Sequence, residues 1–189
     1  MGIVGPVLPE CPYFAAKRGS WEHFLSVYDP AVAPFFADDE GRTVLFAALA
    51  NPDPELRERI ANRLLDDGAD PSIAAEGGWL TVLHVLLTQP HLDPASTTRL
   101  LRRLIAGGAD INQADRAGRV PLWMCWTLTM DESDIAPMFQ LLLSRTDLDL
   151  ERPAVCAQTL RQQILASRDP RRQVLRRLLV ERVKRRQTA

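Results

Sequence analysis

Cysteine is scarce in this chain of 189 residues, and its three copies, Cys11, Cys125 and Cys156, stand far apart. The number is odd, and no two of them have the Cys-x-x-Cys spacing of a redox pair or a zinc site. This pattern argues against a disulfide-stabilised secreted fold, because such folds carry paired cysteines. We expect reduced, packed thiols and a cytoplasmic protein.

Long hydrophobic runs are also missing. No stretch of about 18 apolar residues occurs, so the sequence predicts no transmembrane helix. The N-terminal stretch lacks a basic start and is interrupted by prolines, which argues against a signal peptide. Pro6 occupies the position where an N-myristoylation pattern needs Ser or Thr. We therefore expect no membrane attachment.

Motifs for catalysis are equally few. The three histidines, His23, His84 and His91, show no metal-ligand spacing such as His-x-x-x-His, and neither a Walker motif nor Gly-x-Gly-x-x-Gly occurs. We expect no metal, no cofactor and no enzymatic activity. A Cys125–His84–Asp triad stays open on sequence alone. Core packing is favoured for Cys125, however, because it follows Pro-Leu-Trp-Met on an apolar helix.

The charge is divided unevenly along the chain, although the net charge is only −1. Residues 1–160 contain 13 basic and 22 acidic side chains, a net charge of −9, whereas residues 161–189 contain 10 basic and 2 acidic ones, a net charge of +8. All but two of the basic residues are arginines, which indicates a GC-rich bacterial genome. The basic stretch 168–186 has no aromatic side chain for stacking on single-stranded nucleic acid, so we expect no nucleic-acid partner.

An internal repeat is the main positive feature of the sequence. The phrase LLDDGAD at 64–70 returns as LIAGGAD at 104–110, 40 residues later, and in degraded form as LLSRTDLD at 142–149. A second kind of phrase alternates with it: DDEGRTVLF at 38–46, GGWLTVLHV at 77–85 and DRAGRVPLW at 115–123, with a hidden copy expected at 153–160. A fixed internal period is the signature of a repeat architecture.

Each repeat predicts a helix, an extended tip and a second helix. Apolar residues recur at helical spacing over 56–65, and Gly68 then supplies the left-handed conformation that ends a helix. Thr81 precedes an apolar run, which is typical of a helix N-cap. Pro121 stands at the first-turn position, where its missing N–H is harmless.

These residues resemble the ankyrin repeat family. The matching positions are Asp38, Gly41, Thr43, Leu45, Leu64, Leu65, Gly68, Ala69 and Asp70, then Thr81, Leu83, His84, Leu104, Gly108, Ala109, Asp110 and Asn112, then Asp115, Gly118, Pro121 and Leu122. The resemblance covers about residues 38–160 and implies an all-α, ankyrin-like solenoid of about three to four helix-turn-helix units. It also implies that His84 bonds to nearby backbone and orders a turn.

The spacing departs from the family pattern. The family period is about 33 residues, and the copies here are 39 to 40 apart. The surplus falls between the two helices of each unit, at 50–59, 88–99 and 129–138, and is rich in Pro or Asp. We predict extended loops there, serving either as binding elements or as spacers.

Capping helices are expected at both ends of one structural domain. Residues 1–37 form the predicted N-terminal capping segment, 38–160 the repeats and 161–189 a basic C-terminal capping helix. The predicted buried stripes of these caps, spaced for helices, are Trp21, Phe24, Leu25 and Tyr28, and Val174, Leu175, Leu178, Leu179 and Val183.

The resemblance implies binding of proteins through the tips and the inner helices. Trp and Arg most often anchor interfaces. Trp79 can alternatively fill a gap between repeats, and the charged tips, including the acidic residues 38–40, can simply be solvated. The candidate binding residues are Asp39, Glu40, Arg42, Glu76, Trp79, Val85, Arg116, Arg119, Met124 and Thr127.

The leading hypothesis is a non-catalytic, bacterial protein-binding module that is monomeric when free. Its acidic body suits a dedicated inhibitor, such as an immunity protein that masks a cognate toxin. The alternative is an adaptor or assembly factor that bridges two partners, with the basic C-terminal helix as its second surface. An enzyme is the third hypothesis, and it needs a hidden Cys–His or carboxylate pair.

Overall fold

The structure, a computed structural model, describes residues 11–152 and 158–187. Over these residues the chain forms ten α-helices and one pair of two-residue strands. The helices are α1 Pro12–Arg18, α2 Trp21–Val27, α3 Val44–Leu49, α4 Pro54–Asp66, α5 Val82–Leu87, α6 Pro94–Ala106, α7 Pro121–Thr127, α8 Glu132–Leu143, α9 Leu160–Ala166 and α10 Gln173–Gln187. The strands are β1 Ala74–Ala75 and β2 Leu80–Thr81.

The helices alternate between two layers. In the first layer α1, α3, α5 and α7 pack side by side, and in the second α2, α4, α6, α8 and α10 do the same. Each of these first-layer helices is followed by its second-layer partner, and α9 is followed by and contacts α10, so the described residues form five helix pairs. The predicted all-α helical repeat fold is confirmed. The pair α1–α2 continues the same layers at the N-terminal end, where the sequence had predicted a cap.

Four aspartates mark the end of successive second-layer helices. Asp29, Asp70, Asp110 and Asp149 each accept a hydrogen bond through Oδ1 from the backbone N–H two residues later, at 2.9, 2.8, 2.7 and 2.9 Å. This turn reverses the chain with a side chain that satisfies the backbone locally. Asp29 was missed in the sequence because no Gly-Ala precedes it.

The predicted long loops between paired helices are wrong. The second-layer helices begin early, at Pro54, Pro94 and Glu132, which leaves connections of only a few residues. Asp53 accepts from the N–H of Glu55 at 2.9 Å, and Asp93 from the N–H of Ser96 at 2.7 Å. An aspartate N-cap followed by proline starts a helix. The Asp-Pro pairs therefore begin the second helices.

A continuous apolar core runs between the two layers from Ala15 to Leu179. All six residues of α3 are buried in it. The C-terminal stripe is confirmed at Leu175 and Leu179, which are fully buried, whereas Val174 lies on the surface. None of the described helices is long and apolar enough to cross a membrane.

The N-terminal stripe is correct at Phe24, which is fully buried, but wrong at Leu25, which is 43% exposed. The helix α2 ends at Val27, so it is too short to bury a broad face. The hidden start at 153–160 is described only in its last part, since residues 153–157 lie outside the described residues. There Thr159 and Gln162 form a reciprocal capping box at the start of α9.

Two buried arginines hold the connections between paired helices. Arg57 donates to the carbonyl oxygens of Asn51 at 2.9 Å and His91 at 3.0 Å, and so joins two neighbouring units. Arg172 donates to the carbonyl oxygen of Trp126 at 3.0 Å and also to that of Leu128. These guanidinium groups satisfy loop carbonyls that would otherwise be buried without partners.

Candidate functional site at the hairpin tips

We call the turns at 38–42, 76–79 and 115–119 the first, middle and third hairpin tips. The first and third are closed by the same carboxylate arrangement. Asp38 Oδ1 accepts from the backbone N–H of Glu40 at 3.0 Å and of Arg42 at 2.8 Å. Its Oδ2 accepts from Arg42 Nε at 3.0 Å. Gly41, at φ +79°, supplies the left-handed residue that this tight reversal needs. The aspartate thus fixes both the turn and the direction of the arginine.

The third tip repeats this arrangement. Asp115 accepts from the N–H of Arg119 at 2.9 Å and from Arg119 Nε at 2.7 Å, and Gly118 is also left-handed. Burial raises the pKa of both Asp38 and Asp115, but the N–H donors of the arginines outweigh it and hold each pKa below its usual value. Both carboxyl groups are therefore ionised at neutral pH.

The middle tip is built differently. Three consecutive residues, Glu76, Gly77 and Gly78, have positive φ angles of 52°, 69° and 94°. β1 and β2 pair antiparallel on either side of them, with Ala74 opposite Thr81. Glu76 is the only residue other than glycine with positive φ in the described part of the chain, a conformation that costs an L-residue roughly 1–2 kcal/mol. The surrounding contacts must hold it there.

Those contacts join the three tips into one surface. The backbone N–H of Glu76 donates to the carbonyl oxygen of Glu40 at 2.8 Å. The Glu76 carboxylate lies between two guanidinium groups, 4.0 Å from Arg42 Nη1 and 3.6 Å from Arg116 Nη2. We call the resulting depression of about 470 Å³ the tip groove; it is lined by Asp39, Glu40, Arg42, Glu76, Gly77 and Arg116.

His84 ties the middle unit to the third tip. Its Nδ1 accepts from the N–H of Thr81 at 3.1 Å, so the proton of the neutral ring is on Nε2, which donates to the carbonyl oxygen of Arg119 at 3.2 Å. Burial lowers the pKa of His84, because the charged ring would lose its hydration. The expected structural role of this histidine is confirmed.

The remaining candidate residues fall into different environments. Trp79, the last residue of the middle tip, is 48% exposed, while Val85 on α5 is half-buried. Thr127 is exposed at the end of α7 and donates from Oγ1 to the carbonyl oxygen of Met124. The choice of Met124 is wrong, since this side chain is 4% exposed and packs in the core. The helix α7 has only seven residues and packs against both α5 and α8, so few of its side chains remain exposed for a partner.

The proposed nucleophile is a core residue. Cys125 is fully buried, and burial raises its pKa to about 12. A reactive cysteine needs the opposite shift, because the thiolate is the nucleophile. Among the described residues no group of three His, Cys, Asp or Glu side chains is arranged to hold a metal ion.

Two strongly exposed aromatic side chains near the N-terminal end are absent from the predicted binding residues. Phe14 and Phe35 are each 65% exposed. The ring of Phe35 lies 3.5 Å from the point where a Cβ on Gly68 would stand, so it covers the end of α4. Neither residue belongs to a repeated phrase, and the pattern therefore held no signal for them.

No family model matches the chain. Ankyrin repeat domain-containing protein 63 from Homo sapiens is 30% identical over 114 residues, which make up 60% of this chain. The chain spans only 28% of the length of that relative. A solved structure of a functionally unknown protein from Leptotrichia buccalis C-1013-b matches with a TM-score of 0.73 and 21% identity, over 95% of this chain and 96% of that one. The structural match shows the shared helical repeat fold, and the distant sequence similarity supports ankyrin-like repeats within it.

Proposed function

We propose that the chain is a non-catalytic module that binds a specific protein partner through the tip groove and Trp79. The observation that carries this proposal is Trp79, which is 48% exposed and lies three residues along the chain from Glu76, whose carboxylate is paired with Arg42 and Arg116. A fixed surface loses little conformational entropy on binding, and tryptophan is the side chain most enriched among interface anchors. The similarity to an ankyrin repeat domain protein supports the same class of function.

The charges of the tip groove favour a partner with a basic side chain. Asp39, Glu40 and Glu76 face the groove with Arg42 and Arg116, and Arg42 is already paired with Asp38 and Glu40. The groove therefore carries an excess of carboxylate. Charge complementarity of this kind mainly raises the association rate, which then falls as salt is added.

Capture from the native cells tests the proposal. Tagged wild-type chain, Trp79→Ala and Leu25→Ala are compared by quantitative mass spectrometry, and the captured protein is then titrated in pure form. Leu25 is a matched control, because it is also a large apolar side chain about half exposed, but on α2. We expect one stoichiometric partner that is lost with Trp79→Ala and kept with Leu25→Ala. Retention by both variants contradicts the proposed surface.

The finer form of the proposal is an inhibitor, with an immunity protein for a toxin as its example. The acidic body supports it, since a net charge of −9 over residues 1–160 would attract a basic target. The test is the activity of the purified partner with increasing amounts of this chain. Complete loss of activity at one equivalent supports inhibition, and unchanged activity in a stable complex excludes it.

The alternative of an adaptor with α10 as its second surface is less well supported. Several basic side chains of the C-terminal segment 161–189 are used within the fold. Arg172 is buried, Arg182 donates to the carbonyl oxygen of Arg145, and Arg171 pairs with Asp169. Deleting residues 168–189 would remove Leu175 and Leu179 from the core. Reversal of the exposed Arg177 to Glu is the cleaner test, and an adaptor would lose a second partner.

A further inference from the structure

A second depression lies on the second layer of helices, away from the hairpin tips. It has a volume of about 530 Å³ and runs between α6 and α8; we call it the α6–α8 groove. Its floor consists of small or apolar groups from both helices, among them Ala95, Thr98 and Ala106 on α6 and Pro137 on α8. These four side chains are too short to fill the space between the two helices.

The neighbouring furrow between α4 and α6 is bridged instead. Arg99 makes two bonds of 2.6 Å to the carboxylate of Glu58, and Arg103 bonds Asp66 at 2.5 Å. Both arginines thus turn from α6 towards α4. Within the described ranges no ion pair spans α6 and α8, so the α6–α8 groove is left open.

Pro137 removes a backbone donor from α8 beside this groove. It stands inside α8 and has no N–H, so the carbonyl group of Ser133 lacks the helical hydrogen bond it would otherwise receive. Ser133 and Pro137 both line the groove. The backbone of α8 therefore has one helical hydrogen bond fewer beside the apolar surface of the groove.

The two walls also carry opposite charges that are not used within the described structure. Arg102 is exposed on α6, and Asp134 is half-buried on α8. No side-chain hydrogen bond or ion pair joins either of them to another of the described residues, in contrast to the paired Arg99 and Arg103. Both charges line the groove, one on each wall.

We propose that the α6–α8 groove docks an amphipathic helix of a protein partner. Its apolar ridge would lie in the groove, with a carboxylate on one flank facing Arg102 and a lysine or arginine on the other facing Asp134. The groove is lined along α6 from Pro94 to Ala106, a length of about 18 Å, or about twelve residues of helix. A groove between two helices suits an apolar ridge with helical spacing.

Synthetic helices of fourteen residues test this proposal without knowledge of the natural partner. The first has a leucine ridge, glutamate on one flank and lysine on the other. The second has lysine on both flanks, and the third repeats the first with alanine in place of the leucines. Affinities are measured by fluorescence anisotropy, and the site is located from amide chemical shifts of ¹⁵N-labelled full-length chain. The first helix satisfies both walls in one of its two possible directions along the groove.

We expect the wild-type chain to prefer the Glu/Lys helix over the Lys/Lys helix by about fivefold, as one surface ion pair allows. The variant Arg102→Glu should reverse this preference, because both walls are then acidic. Arg177→Glu, the same change on α10, should leave it unaltered. The shifted amides should lie in α6 and α8, and the alanine helix should bind far more weakly.

The proposal is overturned if neither leucine helix binds, if Arg102→Glu does not change the preference, or if the shifted amides lie elsewhere. Because no variant touches the hairpin tips, this result is independent of the test of Trp79.

Discussion

His84 Nε2 donates to the carbonyl oxygen of Arg119 at a distance of 3.2 Å, across 35 residues of sequence. The bond joins the start of one first-layer helix to the tip of the next unit. On the other side of the same ring, Nδ1 holds the N–H of Thr81. One imidazole therefore orders its own turn and anchors its neighbour's, and this makes the third tip depend on the second unit.

Replacement of His84 by Ala should destabilise the chain. It leaves the Thr81 N–H without its imidazole acceptor in a buried setting, which costs about 1–3 kcal/mol. The Arg119 carbonyl oxygen loses one of its two donors and keeps the backbone N–H of Asp115 at 3.0 Å. Urea denaturation followed by circular dichroism measures the loss. His91→Ala, at an exposed imidazole, is the control and should change the free energy of unfolding little. Equal effects of both variants would contradict the role given to His84.

Stability should fall on mild acidification. Burial holds the pKa of His84 below its unfolded value of 6.5, so the unfolded chain binds a proton more readily than the folded one. The contribution of neutral His84 to the free energy of unfolding is complete above pH 6.5. It is lost as the pH falls from there towards the pKa of His84 in the folded chain. Free energies of unfolding between pH 8 and pH 5 measure this slope. In His84→Gln the contribution of this residue should vanish, and an unchanged slope would assign the pH dependence to other groups.

Arg57 should be more important for stability than its neighbours on α4. Its Nε and Nη1 serve carbonyl oxygens of two units, and its side chain is only 1% exposed. We expect Arg57→Ala to cost about 2–5 kcal/mol, and Arg57→Lys to rescue little because an ammonium lacks the planar fork. The control Arg59→Ala removes a guanidinium stacked 4.0 Å over the ring of Trp21 and should cost about 0.5–1 kcal/mol. Calorimetric unfolding of the three variants compares them, and a full rescue by lysine would refute the assignment.

The Asp N-caps give a direct test of where the second-layer helices begin. Asp93→Ala should lower the free energy of unfolding by about 1 kcal/mol, because the N–H of Ser96 loses its acceptor. Asp131 occupies the same position before α8 but makes no side-chain capping bond. Asp131→Ala should therefore cost clearly less in the same urea titration. If the two variants were equally destabilised, the capping bond of Asp93 would not explain the start of α6.

The fold was predictable because its signals are local and repeated. Gly68 and Thr81 act on their own turn, and recurrence at a fixed spacing made each of them recognisable. The Asp-Pro pairs were misassigned because the same residues that favour loops also start helices, and only the N–H partner of Asp53 or Asp93 distinguishes the two. Met124 was misplaced because a pattern gives the helix but not how many neighbours surround it.

The candidate surfaces were predictable in part. Asp39, Glu40, Arg42, Glu76 and Arg116 lie together as their places in the repeat implied. The α6–α8 groove had no signal in the sequence. It depends on the direction in which Arg99 and Arg103 turn, and an arginine on a helix surface reaches either neighbour equally well.

The four aspartate turns need only a carboxylate and an N–H two residues away. Each copy of the forty-residue unit therefore brings its own means of reversing the chain, without help from distant sequence. An in-frame duplication of such a segment yields a unit that contains its own chain reversal. Only the helix surfaces that pack against the adjacent units must then become complementary to them. Architectures of this kind can change length by whole units while the direction of the chain stays the same.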